Sequence, residues 1–79
     1  MTPREEVLVL VQRIIRESGL STAELARATG LSRAALNAWL AGARVPQRES
    51  LAKLADGLEG RSDALRNMAG EIRQAAGAA

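Results

Sequence analysis

Apolar residues recur along this chain at intervals of three and four, in blocks separated by glycine. Val7, Leu8, Val11, Ile14 and Ile15 make the first block, and Leu25 and Ala28, with small Ala26 between them, make the second. Leu36, Trp39 and Leu40 follow, then Leu51, Leu54, Ala55 and Leu58, then Ala64, Leu65, Met68, Ala69 and Ile72. That spacing is the period of a helix and not the alternation of a strand. Val9 and Leu10 lie off the first stripe, so the first helix is apolar over more than one face. Either the core wraps it or part of it meets another chain.

Capping residues set the limits of each block. Thr2, Pro3 and Glu5 read as an N-cap, a first helical residue of preset φ and the third member of a capping box, and Gly19 supplies the stop. Ser21 and Glu24 repeat the box before a second helix that Gly30 ends. Ser32 caps a third helix running to Gly42. Pro46 precedes a fourth, which Gly57 weakens and Gly60 closes, and Ser62 caps a fifth. The predicted helices are 3–17, 22–29, 33–41, 48–57 and 63–75, with residues 76–79 a fraying tail. The fold expected is all-α, a five-helix bundle in one domain over residues 1–75.

The second and third helices are joined by a link too short to reverse the chain into a hairpin, so they cross steeply. Ala26 is small where the crossing helix must approach. Gly30 takes a positive φ without steric cost. Leu25, Leu31, Leu36 and Trp39 are spaced to fill the wedge between the two helices and the rest of the domain. Together these features read as a helix-turn-helix.

Composition narrows the chemistry. With 79 residues, no cysteine and no histidine, the chain has neither disulfide nor thiolate or imidazole metal ligands, and stability must come from packing. An apolar share of 47% with one aromatic residue favours helices. No stretch is long enough to span a membrane, and "MTPREEVL" carries acids where a secretory signal needs a basic segment, so a soluble cytoplasmic protein is expected. The nine acids sit at caps and exposed faces, without paired carboxylates or a glycine-rich phosphate loop, so no enzyme activity, cofactor or small-molecule ligand is expected. Charge is unevenly placed. Between Leu25 and Lys53 five basic residues stand against Glu49 alone, whereas the remainder holds six basic and eight acidic residues. A basic middle points to a polyanion meeting one face, the alternative being a solvated surface.

The stretch "LSTAELARATGLSRAALNAWLAGARVP" followed by "LAKLADGL" resembles the lambda-repressor-like family of DNA-binding domains, Cro and phage repressors among them, over roughly residues 5–60. The resemblance implies that the helix after Ser32 enters the major groove, about 12 Å wide, while the helix before it lies across the backbone. It places Ser32, Arg33, Ala34, Asn37 and Ala38 against the bases. Arg33 matches guanine O6 and N7 with its planar fork, the alternative being a phosphate contact. Asn37 pairs with adenine or bonds a phosphate. The alanines let the helix sink and offer methyls to thymine. Arg44, Arg48 and Thr22 are assigned to phosphate, with helix N-termini adding backbone amides. Thr22 departs from the family's glutamine and cannot span as far; Leu40 departs from its acid and either widens the core or marks a contact surface. The spacing of Trp39 from Leu36 puts it in the core, the alternative being base stacking.

Double-stranded DNA is therefore the expected partner, read as a palindrome by a homodimer whose recognition helices lie one turn, roughly 34 Å, apart. Leu65, Met68 and Ile72 form a short seam that supplies the dimer interface, unless that helix packs on its own core. Family habit implies a transcriptional repressor. The competing reading is a helical protein-interaction or antitoxin-like module that keeps the shape without reading bases.

Overall fold

Side-chain oxygens at three positions bind the free amides of the helix that follows, and these positions fix where the first three helices begin. The computed structural model describes residues 2–78 and contains α1 (Pro3–Glu17), α2 (Thr22–Thr29), α3 (Arg33–Leu40) and α4 (Arg48–Ala78). Thr2 accepts from the Glu5 amide at 3.2 Å, Ser21 from Glu24 at 3.1 Å and Ser32 from Ala35 at 3.0 Å. At α2 the box is reciprocal, because the Glu24 carboxylate accepts from the Ser21 amide at 3.1 Å. Between α2 and α3, Gly30 holds φ at +75°, the left-handed region in which other residues are strained.

The second half of the chain departs from the sequence-based expectation. Among the described residues there are four helices and not five, because the predicted helices 48–57 and 63–75 are one α4 of 31 residues that runs through Gly57, Gly60 and Ser62 and past residue 75 to Ala78. Glycine inside a helix costs only about 1 kcal/mol relative to alanine, which does not break it without a positive-φ cap. Neither Gly57 nor Gly60 takes such a φ. Gly57 serves another purpose: a Cβ there would stand 2.6 Å from the Ala28 carbonyl oxygen and from the Thr29 methyl. Its missing side chain is what allows α4 to rest against the end of α2.

The core is built where these helices converge. Val11 and Ile15 of α1, Leu25 of α2, Leu31 of the turn, Leu36 and Trp39 of α3 and Leu54 of α4 are buried together. The four residues expected to fill the wedge are all among them. Ala26, Leu40, Leu51 and Leu58 pack around the rim, whereas Ala55, read as part of the same stripe, is exposed. Thr29 is the one buried polar side chain among the described residues, and its hydroxyl is fully used: it donates to the Leu25 carbonyl at 2.7 Å and accepts from the Leu31 amide at 3.2 Å.

Only the first part of α4 belongs to this core. A 31-residue helix is about 46 Å long, and the molecule measures 55 × 23 × 20 Å. Its radius of gyration is 15.7 Å, against about 12 Å for a compact chain of this length. The outer half of α4 projects from the bundle.

Candidate nucleic-acid interface

One side of α3 is anchored and the other is free. Leu36 and Trp39 are buried, which settles Trp39 as a core residue and removes it from base stacking. Ser32, Arg33, Ala34 and Asn37 are exposed, and Ala38 is half-buried. These are the five residues expected to meet bases: at 100° per residue Arg33, Ala34, Asn37 and Ala38 share the side of α3 away from Trp39, and Ser32 stands before the first turn as its N-cap. Ser32 has a double duty there, since its oxygen already accepts from Ala35 while its hydroxyl proton stays available to a ligand. Leu40 packs on the core rim, so of its two readings the widened core is the one observed.

A side chain that sequence reasoning overlooked fixes the far end of α3. The Gln12 amide of α1 donates to the Trp39 carbonyl at 2.9 Å and to the Leu40 carbonyl at 3.4 Å. Helix ends leave carbonyls with spare acceptor capacity, and here a residue from another helix adds a donor. The next turn closes on itself, with the Gly42 amide donating to Trp39 and the Ala43 amide to Ala38, the paired bonds of a Schellman ending. A glutamine between Val11 and Arg13 gives no sequence signal of this role.

Arg44, in the loop after α3, and Arg48, at the start of α4, stand in two different settings. Arg44 lines a small cleft with Ala35, Trp39 and Ser50, so it stands beside the flank of α3. Arg48 lines another with Pro3, Arg4, Val7 and Leu51, next to the start of α1. Arg4 is a second residue missed from sequence, because only the fold brings residues 4 and 48 together. Thr22 is half-buried in the first turn of α2.

Charge pairing among the described residues is sparse and does not involve this surface. Among the described residues the ion pairs are Arg61 with Glu24 at 3.5 Å and Arg66 with Asp63 at 3.8 Å, both away from α3. Arg33, Arg44 and Arg48 take part in none, and α3 has no acid in its first turn. The α2 N-terminus is different. Its Ser21 amide is already bound to Glu24, and the backbone and side-chain hydrogen bonds of Ser21, with smaller help from Arg61 and Arg27, hold the Glu24 carboxyl below the ordinary glutamate value. A carboxylate thus occupies part of the amide cluster that an anion would use there.

Leu65, Met68 and Ile72 lie on the projecting half of α4, exposed and apart from the α3 surface. Among the described residues no group of acids, histidines or cysteines gathers to hold a metal ion, and no helix is long and apolar enough to cross a membrane.

A family model described as a helix-turn-helix domain matches residues 5–69. No curated protein and no solved structure matches the chain. The match covers most of the sequence, and α2, the turn at Gly30 and α3 occupy its centre. The chain belongs to the helix-turn-helix domain family, a class of DNA-binding domains.

Proposed function

We propose that this protein is a sequence-specific regulator of transcription of the lambda-repressor-like type, which reads duplex DNA with α3 in the major groove. The observation that carries the proposal is the division of α3: Leu36 and Trp39 lock one side into the core, and Arg33, Ala34 and Asn37 stand free on the other, with Ser32 exposed at the N-cap. Small side chains next to one arginine and one asparagine suit a helix that must approach base edges closely. Arg33 takes guanine and Asn37 takes adenine, with Ala34 and Ala38 against thymine methyls. Arg44 and Arg48, neither held by an acid, and Thr22 bind phosphates and fix the register. Repression follows from occupancy of a palindromic operator by a homodimer that uses Leu65, Met68 and Ile72.

The test is selection of bound sequences from a random duplex pool at near-physiological salt. A palindromic motif, with half-sites one turn or a multiple of it apart, is the expected result. Absence of enrichment by the folded protein would refute base reading and leave the protein-interaction module in its place.

A further inference from the structure

The projecting half of α4 carries an apolar face with nothing against it. At 100° per residue, Leu51, Leu54, Leu58, Leu65, Met68 and Ile72 all fall within an arc of roughly 100°. It is one stripe, interrupted by Arg61 between Leu58 and Leu65, and the bundle covers its inner part only. Leu54 is 5% exposed, whereas Leu65, Met68 and Ile72 are 54, 56 and 70% exposed. Where the covered part gives way to the uncovered part lies a groove of about 420 Å³, lined by Ile14, Ser18, Leu20, Leu58, Arg61 and Leu65. The groove and the bare stripe are one surface, joined at Leu65.

The geometry points to a second copy of this chain as the occupant, with the two α4 helices antiparallel and residues Ala75 to Gly77 of each seated at the outer, Leu65 end of the groove of the other. This rests on the homodimer reading above, not on base recognition. Direction follows from the position of the bundle. The face that bears Leu65 at its outer end is the face on which the bundle rests at its inner end. Two α4 helices pointing the same way, stripe to stripe, would drive the bundles into each other. Pointing opposite ways, they place the bundles at opposite ends.

The register follows from the seven-residue repeat. With Leu65 and Ile72 at one core position and Met68 and Ala75 at the other, antiparallel packing sets Met68 against Ile72 of the second copy and Leu65 against its Ala75. Large then meets small at each end, about a two-fold axis beside Gly70. The flanking residues Ala64, Ala69 and Ala76 are small enough for close approach. Arg61, which shares the face and lines the groove, pairs with Glu24 at 3.5 Å.

Area supports the inclusion of the groove. The three exposed side chains offer roughly 300 Å² per chain, and specific interfaces bury about 800 Å² on each side. A seam of those residues alone falls short. Antiparallel pairing adds the Leu65 end of the groove twice, once for each end of the dimer, as two-fold symmetry requires.

Cysteine cross-linking without DNA tests this on a chain that has no native cysteine. Leu65→Cys and Ala75→Cys proteins are prepared separately, checked for helicity by circular dichroism, mixed and oxidised. A covalent dimer is expected from the mixture and from neither protein alone, because like positions lie about 15 Å apart along the axis. Sedimentation of the unmodified protein should show a dimer, and Ile72→Glu, at a site too exposed to disturb the bundle, should raise its dissociation constant at least tenfold. Self-linking of Leu65→Cys would overturn the antiparallel pairing while leaving a dimer. A monomer at every concentration would overturn both, and neither result touches base reading by α3.

Discussion

Gly57 of α4 approaches the Ala28 carbonyl of α2 so closely that a Cβ on the glycine would stand 2.6 Å from that oxygen. Gly60, one turn later, has nothing within 4 Å of the same position. The two glycines therefore respond oppositely to the same substitution. Gly60→Ala should stabilise the protein by about 0.5–1 kcal/mol through helix propensity. Gly57→Ala gains the same propensity but must push backbone apart, for a net loss of about 1–3 kcal/mol. Urea denaturation at one fixed protein concentration measures both, and a gain at Gly57 would show that the helices part without cost.

These two residues also mark the limit of what the sequence discloses. A glycine in an apolar repeat has the same appearance whether it ends a helix or admits a neighbour, because the difference lies in the other helix. The residues at 57, 60 and 62 match a helix end in spacing and type, and the predicted break between 57 and 63 rested on them. The first three helices were legible because their caps act locally: Thr2, Ser21 and Ser32 each bond an amide three residues on. The buried wedge was legible for a similar reason, since a repeat of three and four states which side of a helix faces inward. Gln12 and Arg4 were not. Their partners lie 27 residues or more along the chain, and no pattern within a helix encodes such a meeting.

Gln12 joins α1 to the end of α3 by donating to the Trp39 carbonyl, which the Gly42 amide also bonds, and to the Leu40 carbonyl. Gln12→Ala should lower stability by about 1 kcal/mol, the usual net contribution of such bonds. Gln12→Glu should cost more at neutral pH, because a carboxylate would face carbonyl oxygens at the negative end of the helix dipole. Part of that extra loss should be recovered in acid, when the glutamate is protonated. Denaturation midpoints of the three proteins at neutral and acidic pH give the order, and equal values for Ala and Glu would show that the amide is not the link.

Glu24 supplies a pH dependence of known sign. Hydrogen bonds from Ser21, and then Arg61 and Arg27, keep its carboxyl below the ordinary glutamate value in the folded protein. Its contribution to stability is accordingly complete above that ordinary value and disappears as pH falls through the lowered one. Glu24→Gln retains an acceptor for the Ser21 amide but carries no charge. The difference between the wild-type and Glu24→Gln urea midpoints should hold steady from pH 7 to about 5 and narrow towards pH 3. A gap that stays constant into acid would assign the difference to shape and not to charge.

Arg33 and Arg44 are both unpaired arginines beside α3, yet the proposed function gives them different work. Arg33 stands on the exposed face of the helix, where a bidentate contact to guanine discriminates by about 1–3 kcal/mol. Arg33→Ala should lose that amount on the selected sequence, tolerate substitution at one base pair, and bind random duplex much as before. Arg44, in the loop, meets a charge that every sequence carries. Arg44→Ala should weaken all duplexes alike and reduce the slope of log affinity against log salt by about one. Arg66→Ala, on the projecting half of α4, should change neither. Binding titrations of the three variants on cognate and random duplexes, over a range of salt, separate the roles. If Arg33→Ala and Arg44→Ala gave the same losses on both DNAs, Arg33 would be a phosphate contact, and sequence reading would have to rest on Asn37 and the alanines.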